Sequence, residues 1–379
     1  MIFVNPNAKS NKNTPNISLA YAATVFGAKT IDQNTMDYPA DRFLFAQSDI
    51  LAISVQTRTL KEAERIKKEY LKKYPSSQVK TVSTAIDIQC CYPYLEWPDG
   101  ITFKKEFGDE YPFPDYELFD SFQIFEKNWR SGDWKYAIMT SLGCPYSCDY
   151  CMCKNRKWKF RSARNSFEEL KRAKEKWGVK KFQILDDCFN FNEQRVIEFC
   201  GLVKNLNLSW ACTNGVRADR FTDEMAQAMK EAGCEDISMG IESSDPEILK
   251  SIKKGETIEQ IEKAITAAKK YFSKVNGYFI IGLPGSSYEK DLASVNWAEK
   301  MGINAHFSYH VPAKDGLIES DALFYGEGAV PTSGAYPKEL QEKIYNLTAQ
   351  MRPRSGSVGY AGKIKRRFLR TTKKLFGSF

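Results

Sequence analysis

Histidine is almost missing: the 379 residues hold two, His306 and His310. A histidine-rich metal site is therefore excluded. No stretch approaches the ~20 apolar residues of a membrane span. The opening residues, Met1-Ile2-Phe3-Val4-Asn5-Pro6, lack a basic segment followed by an apolar one, so no secretory leader is expected. Disorder needs low hydrophobicity, and this chain is 42% hydrophobic and 13% aromatic, enough for a well-buried core. At roughly 100–200 residues per domain, two or three domains are expected.

Excess charge is scarce in the body of the chain. Of 55 basic residues, nine lie between Arg352 and Phe379 with no acid among them, so the other 46 nearly cancel the 47 acids. The formal +8 belongs to a tail. A basic surface would suggest nucleic acid; this distribution argues against it, and no dedicated RNA-binding domain is visible.

What is present is cysteine, ten residues of it. In a long chain where no leader is expected, these suggest metal, redox or core roles rather than a disulfide framework.

From about Lys135 onward, strand-like runs alternate with amphipathic helical runs. Strands are expected at 136–141, 181–185, 208–213, 235–241, 275–283 and 305–311, with helices between them. Ser166 and Glu169 stand at capping-box spacing at the head of the first helix. Repeated βα units imply parallel strands. Six units are too few for an eight-fold barrel, so a partial, open TIM-like barrel is expected. The preceding residues read as a small Rossmann-like α/β domain over residues 1–89, then an aromatic and proline-rich linker over 90–130. The barrel core takes 131–312 and a C-terminal extension takes 313–379.

The strongest motif is Gly143-Cys144-Pro145-Tyr146-Ser147-Cys148-Asp149-Tyr150-Cys151, just after the first barrel strand. Three thiolates on one bent loop can hold three corners of a [4Fe–4S] cluster and leave the fourth iron open. Cys153 lies two residues on, so a closed zinc or Fe–S site in a non-catalytic binding module is the competing reading.

The motif and the partial barrel resemble the radical S-adenosylmethionine (SAM) superfamily, whose signature is C-x3-C-x-aromatic-C; Tyr150 is the aromatic here. The resemblance covers about Tyr136 to Val311. It implies that SAM chelates the open iron and is cleaved by one electron to methionine and a 5′-deoxyadenosyl radical. An electron donor such as flavodoxin or ferredoxin is then implied. Cys144, Cys148 and Cys151 are the implied cluster ligands.

The ends of the strands carry the remaining candidates, because barrel-like folds gather their sites there. Asp186 and Asp187 stand where the family often carries Gly-Gly-Glu, and either could receive the methionine ammonium or cap the next helix. Asn214 and Arg217 could meet ribose and carboxylate, or form an Asn-Gly turn. Glu242 and Ser243 match the family's G-x-E-S pattern. Gly282 lies in a glycine-containing strand end like the family's adenine-binding one. His306 and His310, four apart, share a strand face, either toward substrate or in the core. Asp187 and His310 are the candidate catalytic groups.

Residues 15–84 weakly resemble the cobalamin-binding domain of the cobalamin-dependent radical SAM class. The histidine-bearing loop of that fold is replaced by Asp32-Gln33-Asn34-Thr35-Met36-Asp37, and its glycine pair by Ser83-Thr84-Ala85-Ile86. The domain either binds cobalamin without a histidine or is a degenerate version kept for packing or substrate binding.

In the tail, Ile364, Phe368, Leu375 and Phe379 fall on one helical face among basic residues. This reads as a peripheral anchor on an anionic membrane, as an RNA-binding tail, or as a solvated end. A cytoplasmic enzyme acting on a small-molecule or lipid-linked substrate is expected.

Overall fold

The structure is a computed structural model. It describes residues 1–7, 15–34, 41–54, 59–82, 107–151, 153–310, 313–314, 317–318 and 336–351. The expected replacements at 35–37 and 83–86 and the basic tail at 362–379 lie outside the described residues, as do the first residues of the expected linker.

The first unit is a parallel sheet of β1 (Ile2–Asn5), β2 (Lys29–Asp32), β3 (Ile50–Ser54) and β4 (Gln78–Val82) in the order β2-β1-β3-β4. Helix α1 (Ile17–Phe26) follows β1, and α2 (Leu60–Lys73) joins β3 to β4. All three pairings are parallel, with helices in the connections, as in α/β sheets. Asn16 starts α1 by accepting from Leu19 N, and Gly27 ends it in the left-handed region.

The described part of the expected linker is buried. Helix α3 (Phe122–Ser131) places Phe125 and Trp129 inward. Tyr116 sits among Trp129, Tyr136 and Trp177 at ring-centroid distances of 5.1, 5.6 and 5.8 Å, all close to edge-to-face. Such pairs contribute about 0.5–1.5 kcal/mol each beyond their burial. A backbone bridge from Asp120 N to the Thr30 carbonyl (2.9 Å) and an ion pair from Arg42 to Asp120 (2.5 Å) fasten this segment to the first sheet.

Strands β5 (Tyr136–Ile138), β8 (Lys181–Ile184) and β9 (Ser209–Cys212) form one parallel half of the barrel. Strands β10 (Ile237–Glu242), β11 (Val275–Ile281) and β12 (Asn304–Tyr309) form the other. Parallel bridges Trp210–Cys234 and Val216–Met239 join the halves. Among the described residues β5 and β12 do not pair, so the arc is open, as expected. Between β5 and β8 the chain makes a two-residue ribbon, β6 (Ser141–Leu142) with β7 (Lys159–Phe160), then helix α4 (Ala163–Trp177). Helices α5 (Glu193–Val203), α6 (Asp223–Glu231), α7 (Pro246–Ser251), α8 (Ile258–Tyr271) and α9 (Tyr288–Lys300) follow their strands. Short β13 (Ala313–Lys314) and β14 (Leu317–Ile318) pair antiparallel, and α10 (Lys338–Met351) packs on α9 and β12.

The helix starts follow side-chain chemistry. Thr222, Asp245, Thr257 and Ser287 each accept from a backbone N–H of the first turn, and Thr257 with Gln260 closes a full capping box. Helix α4 departs from the sequence expectation. Ser162 is its cap, so Ser166 lies inside the helix. Glu169 points into the core, where it pairs with Arg161 at 2.5 Å and accepts from the Tyr136 hydroxyl at 2.9 Å. Both charged side chains are only 1% exposed. Arg161 also donates to the Tyr21 hydroxyl (3.2 Å), so the pair ties α1 to the barrel.

Alternation along β11 and β12 sets the inner wall. Val275, Gly277, Phe279 and Ile281 are buried, while Asn276, Tyr278 and Ile280 are half-buried and face inward. On β12 the inward row is His306, Ser308 and then His310 past the strand end.

Candidate cluster and cofactor site

The three cysteines of the motif lie between β6 and β7, at the mouth of the barrel. Gly143 opens the loop at φ +84°, and a Cβ there would run into the Lys157 carbonyl oxygen, so no other residue fits. The loop is folded on itself: Cys151 N donates to Cys148 O (3.0 Å), Asn155 N to Tyr146 O (2.8 Å) and Arg156 N to Cys144 O (2.9 Å). It is also pinned from outside. Gly143 N donates to Asp187 Oδ2 (2.9 Å) beyond β8, and Asp149 N to Ile252 O (2.9 Å) at the end of α7.

The thiols sit in two different settings. A hydrogen bond from the Cys188 thiol brings the Cys144 pKa down to about 7. One from the Cys153 thiol brings Cys151 down to about 6. Burial pushes Cys148 up, with Lys254 and Arg217 opposing it. Metal ligation needs thiolates, so two of the three ligands are held near ionisation and the third has cations to meet it. Among the described residues no three His, Cys, Asp or Glu side chains converge as ligands of a single ion. Three thiols spaced in this way on one loop fit the donor set of a [4Fe–4S] cluster, where each binds a different iron. Cys153 Sγ also lies 3.3 Å from Asp187 Oδ1.

Beneath the loop runs a buried chain of charges. Lys254 lies 3.1 Å from Glu242 and 3.2 Å from Glu256, with its side chain 6% exposed. Arg217 pairs with Asp219 at 2.9 Å, meets Glu256 at 3.8 Å and donates to the Lys254 carbonyl at 3.1 Å. Its guanidinium stacks 3.5 Å from the centre of the Tyr146 ring, which belongs to the cysteine loop. Burial alone would lower the Lys254 pKa, but Glu242, Tyr150 and Glu256 hold it well above the usual lysine range. A cation is thus fixed below the thiols.

Glu242 has φ +66°, an unusual backbone for a non-glycine residue. The register of β10 on β11 shifts between Gly240 and Glu242, which re-aims the side chain toward Lys254 and Tyr150. Strain of this kind collects at functional sites. Ser243 is buried and accepts from Asp245 N (3.2 Å). Gly282, at φ +74°, donates to Asp291 Oδ2 (2.8 Å), and Asp291 also accepts from Ser286 (2.6 Å) and Tyr336 (2.7 Å). That fastens the turn after β11.

Asp186 and Asp187 do not form one acidic mouth. Asp186 is 1% exposed, and its oxygens accept from Thr140 N (2.6 Å), Thr140 Oγ1 (2.5 Å) and Ser141 Oγ (2.7 Å). Its carboxylate binds the protein's own first strand end, where the sequence suggested a cofactor contact. Burial raises its pKa; Arg195 and these donors oppose that. Asp187 grips Gly143 and Cys153, a positioning role on the loop. Asn214 is exposed and donates to Leu185 O (2.9 Å), bridging the ends of β8 and β9. His306 packs edge-on to Tyr278 at 5.5 Å, midway along the wall and away from the thiols. His310 lies at the rim, where its N–H donates to Ile281 O (2.8 Å). Burial lowers the pKa of both imidazoles.

Lys254, Glu256, Cys188 and Asp291 were not singled out in the sequence. Lys254 and Glu256 flank Gly255 in a run that reads as a solvated turn. Cys188 follows the Asp186-Asp187 pair, and that position after a strand end was its only signal.

The Radical SAM superfamily model matches residues 138–298. An uncharacterized methyltransferase of Pyrococcus horikoshii is 35% identical over 210 residues, 54% of this chain and 44% of that protein. The chain thus spans less than half the length of this curated relative. The structure of the radical S-adenosylmethionine methyltransferase TsrM from Kitasatospora setae, with cobalamin and a [4Fe–4S] cluster bound, superposes with a TM-score of 0.65 at 14% identity. It covers 81% of this chain and 71% of that one. The cobalamin-dependent SAM radical enzyme OxsB, with aqua-cobalamin and SAM bound, covers 99% of this chain and 61% of its own at 17% identity and a TM-score of 0.57. These two likenesses show the fold. With the family match, the cysteine loop and the open parallel barrel agreeing, residues 138–298 constitute a radical SAM domain, a family that implies a [4Fe–4S] cluster and SAM.

Proposed function

We propose that this chain is a radical SAM enzyme that modifies an unactivated carbon of its substrate by methyl transfer. The observation that carries the reading is the three-cysteine loop at the barrel mouth, backed by the buried cations of Arg217 and Lys254. Bound there, the cluster and SAM supply one-electron cleavage to methionine and a 5′-deoxyadenosyl radical.

The chain's own residues have separable tasks. Cys144, Cys148 and Cys151 hold the cluster. Asp187 and Arg217 position the loop. Tyr150, Asn214, Glu242, Ser243 and the Gly282 turn, at the strand ends, would hold SAM. The inward row of Tyr278, His306 and His310 would face the substrate, with His310, at the rim, the candidate catalytic group. An electron carrier such as flavodoxin or ferredoxin delivers the electron.

The test is anaerobic reconstitution with iron and sulfide, followed by reduction in the presence of SAM. The parent should yield 5′-deoxyadenosine, and Cys148→Ala should yield none. Full SAM cleavage by Cys148→Ala refutes the assignment. Stoichiometric zinc in place of iron would favour the non-catalytic module.

Methyl transfer is supported by the methyltransferase relatives. Cobalamin, bound in both structural neighbours, would supply the methyl carrier. Purification with added hydroxocobalamin tests it: a chain that retains no corrinoid spectrum removes the carrier from the scheme.

Among the described residues no helix is long and apolar enough to cross a membrane. A cytoplasmic enzyme touching an anionic lipid surface through residues 362–379 is the proposed location, on the basic and apolar pattern of that tail. Liposome pelleting that is unchanged by deleting the tail would overturn the contact.

A further inference from the structure

One surface feature lies outside the cofactor site yet touches the cysteine loop from behind. The segment Lys154-Asn155-Arg156-Lys157-Trp158-Lys159-Phe160 leaves the loop and returns along β7. It carries four cations in six residues and no acid. Lys154 and Lys157 are exposed, and among the described residues Lys157 and Lys159 form no ion pair. At the centre, Phe160 is 49% exposed, one of two large apolar side chains so open among the described residues. It stacks on Trp158 at 4.6 Å with the rings 24° apart, and Trp158 rests against Phe191 at 5.0 Å. The Arg195 guanidinium lies 5.8 Å from both the Trp158 and the Phe160 rings.

An exposed, rigid aromatic centre with a cationic rim has the composition of a transient interface: aromatic anchors in the middle and steering charge at the edge. Its position is what gives it meaning. Arg156 N donates to Cys144 O, and Trp158 Nε1 donates to Cys188 O at 3.1 Å, beside the thiol that bonds Cys144. The patch is therefore one backbone hydrogen bond from a cluster-bearing cysteine. The barrel side of the loop is committed to SAM and substrate. This outer side is the remaining short approach.

We propose that Lys154, Arg156, Lys157, Lys159 and the Trp158–Phe160 stack form the docking surface for a small acidic one-electron carrier protein. The proposal rests on the reading of the loop as a cluster site, which creates the need for an electron. One electron leaves the reduced carrier and enters the cluster, and no atom is transferred. Charge complementarity selects an acidic partner and speeds encounter. The exposed rings supply the desolvated contact.

The probe is a purified acidic flavodoxin, titrated against the reconstituted full-length chain at about 0.05 M and about 0.2 M salt. Affinity should fall by about tenfold or more with salt. The double variant Lys157→Glu with Lys159→Glu should lose about tenfold or more at low salt, and Phe160→Ala should lose affinity at both salt levels. A control pair with the same charge change on α2, Lys67→Glu with Lys68→Glu, should bind like the parent. Bleaching of the cluster by dithionite, which needs no docking, should proceed at the parental rate in every variant. Parental flavodoxin affinity in the patch variant overturns the proposal. So does an equal loss in the α2 control, which would mean net charge alone, or tighter binding of single-stranded RNA than of flavodoxin at the patch. If the parent itself builds no cluster, it is the function of the site that fails, and the binding data still judge the surface.

Discussion

Replacing Lys254 with methionine keeps the length of the side chain and removes one charge. In the parent the ammonium lies 3.1 Å from Glu242 and 3.2 Å from Glu256, with both carboxylates buried. The variant strands two carboxylates against an apolar chain. Breaking a buried pair from one side costs about 3–5 kcal/mol, because the remaining charge is left uncompensated. That is a large share of the about 5–15 kcal/mol that keeps a domain folded. The loss should also depend on pH. Burial already raises the Glu256 pKa, and Lys254 is the first group holding it down. Without the lysine, the folded carboxyl binds its proton over a wider range than the unfolded one, so stability falls as pH rises. The deficit should therefore be larger near about pH 8 than near about pH 6. Urea unfolding of the cluster-free chain, followed by fluorescence of the buried Trp129, Trp177 and Trp210, measures it. A loss below about 1 kcal/mol at both pH values would refute the argument. The contrast is Lys270→Met. Lys270 meets Asp223 at 2.6 Å, a shorter contact, but on open surface, and no measurable change is expected there.

Gly143→Ala should fold yet lose iron, since the positive φ costs about 1–3 kcal/mol and the new methyl meets the Lys157 carbonyl; iron and sulfide per chain at the parental level would contradict this. Asp186→Asn should cost about 1–3 kcal/mol of stability by leaving a donor from Thr140 or Ser141 without an acceptor, with the KM for SAM unchanged in the folded protein. A raised KM at parental stability would return Asp186 to the cofactor. Removing the cluster with a chelator should leave near-ultraviolet circular dichroism intact, because protein groups pin the loop; a collapse of that signal would instead mark a metal-folded module.

The barrel was legible because each strand is followed by a helix with its own start signal, such as Thr222 before α6 and the Thr257–Gln260 box before α8. Strand β1 was not, although it sits between β2 and β3. Its four residues end at Pro6, and a short strand paired on both sides carries no polar alternation to reveal it. The Ser166–Glu169 spacing misplaced the start of α4 for a related reason. The same three-residue offset serves an end cap and an interior turn, and burial against Arg161 decided between them. The two adjacent aspartates take different partners because neighbours on extended backbone point to opposite sides. One side here holds Thr140 and the other holds Gly143. Lys254 and Glu256 were invisible because their partners, Glu242 and Arg217, come from β10 and the turn after β9.

That last failure bears on how the site works. A C-x3-C-x2-C loop gathers negative charge as its thiols ionise. In a small metal module the metal answers that charge, and folding waits for it. Here Arg217 and Lys254 face the loop from a buried network with Glu242, Glu256 and Asp219. They lie far along the chain from Cys144 and reach the loop only when β9 and β10 have closed onto β8. The motif supplies the ligands, and the downstream barrel packs a charged network against their loop. Cysteine spacing alone therefore could not decide between a zinc module and a cluster enzyme, whereas the open parallel barrel around the loop and the match of residues 138–298 to the Radical SAM superfamily favour the enzyme.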